Sequence, residues 1–184
     1  MARTPTLSLA RQLLPAAAAA LALSAGTAFA TNVPPDILEL RTRCVTGTAG
    51  IDLVFELRNR SERTVWVSAD TAPWTPASRS LRITAERQGT NAQRLHGPAA
   101  ATAPSPSGSV RVPPSGSADG VVPLSRAFAE LSQAAQQAPV RIHWSWQGLV
   151  SDSGLAGAWG PTARFEGEAT VQGGGCSQVS ARRL

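Results

Sequence analysis

Few residues in this chain are equipped for bond-making chemistry, and their spacing narrows the options further. The 184 residues include two cysteines and two histidines. Cys44 and Cys176 stand too far apart for the C-x-x-C spacing of a redox dithiol, and neither has a histidine beside it to complete a zinc set. Where disulfides can form, two cysteines allow one intramolecular bridge, and Cys44–Cys176 is the expected pair. Closing a loop of about 130 residues would restrict the unfolded chain by roughly 5 kcal/mol on the chain-entropy account. His96 lies in the turn sequence Leu95-His96-Gly97-Pro98, and His143 falls on the polar parity of a strand. No His-Glu-x-x-His run is present to set two imidazoles one helical turn apart beside a glutamate base, and no Gly-x-Ser-x-Gly elbow marks a nucleophile. Glu166 and Glu168 sit two apart on one strand face, where a solvated surface explains a carboxylate pair as well as catalysis does. The expectation is a protein that is not an enzyme and uses no cofactor or metal.

The residues that remain for recognition are aromatic. Trp74 stands in Ala72-Pro73-Trp74-Thr75-Pro76 and Trp159 in Gly157-Ala158-Trp159-Gly160-Pro161, both between turn formers. A tryptophan on a stiffened loop offers large contact area at low entropic cost, so both are candidate partner-binding residues. The competing reading folds each back as a lid over core that short strands leave open. Trp144 and Trp146 share parity with Ile142 and are expected in the core.

The elements that must carry these residues show a hydrophobic period of two. Leu38, Leu40 and Cys44 share one face of a first strand, opposite Glu39, Arg41 and Arg43. Ile51, Leu53, Phe55 and Leu57 alternate with Asp52, Glu56 and Arg58, before the turn Asn59-Arg60-Ser61-Glu62 leads to Val65-Trp66-Val67. Leu81, Ile83 and Ala85 alternate with Arg82, Thr84 and Glu86. Val140, Ile142, Trp144 and Trp146 oppose Arg141, His143, Ser145 and Gln147, and Phe165, Ala169 and Val171 oppose Arg164, Glu166, Glu168 and Thr170. These last two strands are expected to pair across residues 148–162, whose Gly and Ser suit an irregular excursion. Residues 97–120 read as a decorated loop, interrupted by a short edge strand at Val110-Arg111-Val112 that Pro113 and Pro114 end. One helix is expected, over residues 124–135, with Ser125 as its cap and Leu124, Phe128 and Leu131 on its buried face. The core list is Leu53, Phe55, Ile83, Ile142, Trp144 and Phe165. The fold expected is all-β, an immunoglobulin-like antiparallel β-sandwich of about seven strands with one short helix.

The compartment follows from the first 30 residues. Arg3 and Arg11, the apolar run over residues 13–25 and the small-x-small pattern Ala28-Phe29-Ala30 predict a secretory signal cut between Ala30 and Thr31. The run falls short of the roughly 20 residues that span a bilayer, so no membrane span is expected once the signal is removed. Residues 31–184 are then a single domain, periplasmic or secreted. Removing Arg3 and Arg11 lowers the formal net charge from +5 to +3. Every basic residue is Arg, scattered without the basic stripe and interleaved aromatics of a nucleic-acid groove, so no nucleic acid is expected as partner.

The order of motifs over residues 51–142 resembles the immunoglobulin-like sandwich that precedes the catalytic domain in deuterolysin-type and peptidyl-Lys-type zinc metalloendopeptidases. The matching pieces are the strand ending at Asn59-Arg60-Ser61, the Val-x-Val strand followed by Thr71-Ala72-Pro73, and the strand ending before Gly89. They continue with Gly97-Pro98, Val110-x-Val112, the turn Pro114-Ser115-Gly116-Ser117, and Val122-Pro123-Leu124-Ser125 leading to Phe128. Ala72 splits the family's Thr-Pro, Pro123 replaces an Asp, and Phe128 replaces a Tyr. The resemblance implies the sandwich without the zinc-bearing catalytic domain. The function expected is a secreted or periplasmic non-catalytic module that binds a protein partner, either a secreted peptidase or an envelope protein. The alternatives are an inhibitor of a secreted protease and a structural envelope protein.

Overall fold

The alternation read from the sequence becomes strand after strand in the computed structural model of the chain, which describes residues 34, 36–47, 50–75, 78, 80–90, 92–97 and 108–184. The expected signal, its cut between Ala30 and Thr31, and residues 98–107 lie outside the described residues. In chain order the strands are β1 (Leu38–Gly47), β2 (Gly50–Asn59), β3 (Val65–Ser68), β4 (Leu81–Arg87), β5 (Gln93–Arg94) and β6 (Ser109–Val112), then β7 (Ser117–Pro123), β8 (Val140–Trp146), β9 (Leu149–Ser151), β10 (Gly160–Pro161), β11 (Phe165–Gln172) and β12 (Gly175–Arg183). Helices α1 (Leu124–Ala127) and α2 (Leu131–Gln137) and two 3-10 turns, Ala69–Thr71 and Gly154–Ala156, complete the described elements. Every described ladder is antiparallel. One sheet has the order β1-β2-β7, a second β10-β9-β3-β6, and a third β12-β11-β8-β4-β5. The first two adjoin through β6 and β7, and the third faces them across the core, giving an all-β sandwich.

Packing follows the predicted faces. Phe55 of β2 meets Trp144 of β8 edge to face, with centroids 5.3 Å apart, and Trp146 stacks on Phe165 of β11 at 5.8 Å. Leu53, Phe55, Ile142, Trp144 and Phe165 are buried as expected. Ile83 is only half-buried at the margin of that core. β8 and β11 pair in register from Val140 opposite Val171 to Trp146 opposite Phe165. The expected disulfide joins Cys44 of β1 to Cys176 of β12, with Cα atoms 5.8 Å apart. It ties together the free edges of two sheets that share no hydrogen-bond ladder.

Asn59, the last residue of β2, is wholly buried and holds a second seam. Its side-chain amide donates to the carbonyls of Arg63 at 2.6 Å, Val112 at 3.2 Å and Pro113 at 3.1 Å. Its oxygen accepts from the backbone N–H and the hydroxyl of Ser61. A buried polar group is tolerated only when satisfied, and here satisfaction fastens the end of β2 to the end of β6.

Several expectations are corrected. The described chain has twelve strands rather than about seven, because β5, β7, β9, β10 and β12 are short or too poor in large apolar residues to show an alternation. β7 begins inside what reads as loop. Its inward positions are Ala118, Gly120 and Val122, opposite Leu57, Phe55 and Leu53, and their small size hides the strand. Residues 148–162 hold the β9–β10 hairpin and not only an irregular excursion. The single helix is two, because Phe128 leaves helical geometry at φ −133°, although Leu124, Phe128 and Leu131 are all buried. Ser125 does not cap. Its hydroxyl accepts the Ile51 N–H at 3.0 Å and crowds Gly50, where a Cβ would lie 2.4 Å from the oxygen. Gly50 also has φ +124°, so only glycine fits that turn.

Candidate functional site

The tryptophans divide between core and surface. Trp144 and Trp146 are buried, and the Trp146 indole N–H donates to the Thr71 carbonyl at 2.7 Å. Trp74 is half-buried, packs against the core, and lies flat on the inner side of β7 at Gly120. A Cβ on Gly120 would come within 2.1 Å of the Trp74 ring. The indole thus occupies space that a side chain on β7 would fill. Trp159 is half-buried at the residue before β10, and no described contact brings it to Trp74.

A further tryptophan shapes the outer face of the β10-β9-β3-β6 sheet. Val65 and Val67 point into the core, so Trp66 faces outward on the second sheet, in register with Arg111 of β6 and Ser151 of β9. The V-W-V pattern contains this information, since two buried valines force the residue between them outward. The connection from β9 to β10 then folds back over the same face. Gly154, at φ +66°, sits against the indole, where a Cβ would lie 3.3 Å from the ring. The turn is fixed by the Ser153 N–H donating to the Ser151 hydroxyl at 3.2 Å and by the Gly157 N–H donating to the Gly154 carbonyl at 3.3 Å. At its tip Leu155 is 71% exposed, and Leu149, on the same outer face, is 38% exposed. Trp66, Leu149 and Leu155 therefore place apolar surface on one sheet and its loop, edged by the exposed Arg111.

The titratable candidates fall elsewhere. His96 is exposed, with Nδ1 3.3 Å from Glu130 Oε1, a surface pair of little energetic weight. His143 is exposed on the outer face of the five-stranded sheet, in register with Thr84 and Glu168. Glu166 lies on that face too, 3.4 Å from an Arg164 guanidinium nitrogen and 3.7 Å from one of Arg182. Its carboxylate is committed to two cations. Among the described residues no group of three or more His, Cys, Asp or Glu side chains is arranged to hold a metal ion, and no helix is long and apolar enough to cross a membrane. No family model, curated protein or solved structure matches this chain.

Proposed function

We propose that this chain is an exported, non-catalytic sandwich module that binds a protein partner through the outer face of the β10-β9-β3-β6 sheet and the turn above it. The observation that carries this reading is Leu155, an exposed aliphatic side chain held up by a hydrogen-bonded turn on the Trp66 indole. Large apolar side chains presented on a rigid support make interface anchors, because little entropy is lost when they are buried. Trp159, at the residue before β10, is assigned to this surface as part of the proposal, whereas Trp74 packs against β7 and the core. The Cys44–Cys176 bridge supports an oxidising compartment, periplasmic or extracellular. The resemblance to the sandwich of deuterolysin-type peptidases makes a secreted peptidase the leading class of partner.

Inhibition of such a peptidase is a narrower use of the same surface, favoured by one feature. A turn fixed at both ends with an apolar residue at its tip has the form of a cleft-filling loop. The test is a photo-crosslinking residue placed at 155 in the full chain, with the same residue at 170, on the outer face of the opposite layer, as control. Adducts to one defined protein from position 155 and none from 170 support the proposal. Equal labelling from both positions refutes it. Inhibition of a purified extracellular protease that is lost in Leu155→Asp would establish the narrower reading.

A further inference from the structure

The outer face of the five-stranded sheet has a feature unrelated to partner binding. Its register sets Arg82 opposite Ser145, Ser145 opposite Glu166, and Glu166 opposite Arg182, a single transverse row over four strands. At the β4 end of the row, Ser80, Arg82, Ser145, Trp146, Gln147 and Arg164 line a hollow of about 220 Å³. Among the described residues no carboxylate lines it. The nearest in the row, Glu166, is already neutralised by Arg164 and Arg182, so three guanidiniums including Arg82 face one acid. Arg82 is exposed and has no partner among the described residues. Ser145 is 7% exposed as a residue, and it lines the hollow.

We propose that this hollow binds an oxyanion group, as carried by a carboxylate, a phosphate or a sulfate. The planar fork of Arg82 supplies two parallel N–H donors, a geometry that suits oxyanions and that a lysine would not provide. The hydroxyls of Ser145 and Ser80 add neutral donors. Arg164 contributes charge while remaining on Glu166. The Gln147 amide is turned away, donating to the Thr162 carbonyl at 3.1 Å, and the Trp146 indole N–H is spent on Thr71. An open site of this kind binds weakly, with a Kd on the order of 1 mM. The inference is independent of the partner-binding surface, which lies on a different sheet.

The test is a titration of the full ¹⁵N-labelled chain, disulfide oxidised, with sulfate, inorganic phosphate and acetate in turn, at ionic strength held constant with chloride. The expected result is a saturable shift confined to residues 80–82, 145–147 and 164 for at least one anion. Saturation by sulfate or phosphate alone identifies a tetrahedral ligand, and saturation by acetate identifies a carboxylate. Arg82→Gln should weaken the response by about tenfold or more. Ser145→Ala should weaken it several-fold with Arg82 intact, and Arg141→Gln, further along the same face, should leave it unchanged. Shifts that rise linearly at every arginine of the face with every salt, or an Arg82→Gln titration that matches the parent, would overturn the assignment.

Discussion

Gly120→Ala is the most direct test of what Trp74 does. Gly120 faces inward on β7 opposite Phe55, and an added Cβ would lie 2.1, 2.4 and 2.6 Å from Trp74 Cγ, Cδ2 and Cδ1. Real Cβ atoms do not approach ring carbons so closely, so either the indole or β7 must move. Overpacking of this sort costs roughly 1–3 kcal/mol, of which the better strand fit of Ala over Gly returns about 0.5–1. The single substitution should therefore cost about 1–2 kcal/mol, a fall in Tm of roughly 3–6 °C for a domain of this size. Trp74→Ala removes a half-buried ring and should cost about 2 kcal/mol, below the 3–5 of a fully buried aromatic. In the Trp74→Ala background the clash is gone. There Gly120→Ala should be neutral or stabilising by up to about 1 kcal/mol, a reversal of sign with a coupling energy near 2 kcal/mol. Urea unfolding followed by far-UV circular dichroism, with the disulfide intact, measures all four corners of the cycle. Equal costs in both backgrounds would refute the contact, and a neutral Gly120→Ala in the parent would show that Trp74 stands away from β7.

Three further outcomes are expected. Thiol titration of denatured, unreduced protein should find no free thiol, and replacing both cysteines with Ala should cost up to roughly 5 kcal/mol, read as a fall in the urea midpoint. Asn59→Ala should cost about 2–3 kcal/mol in the same assay, because the carbonyls of Val112 and Pro113 lose the side-chain donor that joins two sheets; a cost below about 0.5 would mean water replaces it. The guanidiniums of Arg60 and Arg41 hold the Glu39 carboxyl below its ordinary value of 4.5, chiefly through the Arg60 hydrogen bond. A depressed carboxylate contributes stability above its unfolded pKa and loses it as pH falls through the folded one. Glu39→Gln should therefore flatten the stability profile below about pH 4.5 and leave it unchanged below the folded value, by under about 1 kcal/mol for a surface pair.

The strands that the sequence revealed are those whose burial is decided by their own alternation. Ile51 to Leu57 and Val140 to Trp146 bury every second residue against the opposite layer, so a period of two is sufficient to find them. The disulfide was legible for a different reason, since two cysteines leave a single intramolecular pairing. β7 was hidden because its inner face is completed by Trp74, a residue from a remote loop, so its own residues could be small. The end of β2 was hidden in the same way. Asn59 reads as a turn former, and only the approach of Val112 and Pro113 turns it into a buried clamp.

The same distinction separates the two candidate surfaces. Trp159 is conspicuous in the sequence for its glycine and proline neighbours, whereas Trp66 sits unmarked between two strand valines. The fold makes Trp66 the more informative residue, because it supports the turn that raises Leu155. The outer faces of the layers also differ in kind. The five-stranded sheet presents Arg82, Glu86, Arg141, His143, Glu166 and Glu168, and the β10-β9-β3-β6 sheet presents Trp66, Leu149 and a loop tipped by Leu155. A solvated face needs no apolar residue at its loop tips, and a desolvated one has little use for a lattice of charges. Protein binding on the second and oxyanion binding on the first should therefore respond oppositely to salt. Raising ionic strength should weaken the anion response through screening, and should leave an interface built on Leu155 and Trp66 nearly unchanged. A crosslink from position 155 that disappears as salt is raised would mean that Arg111, and not the apolar anchor, governs recognition.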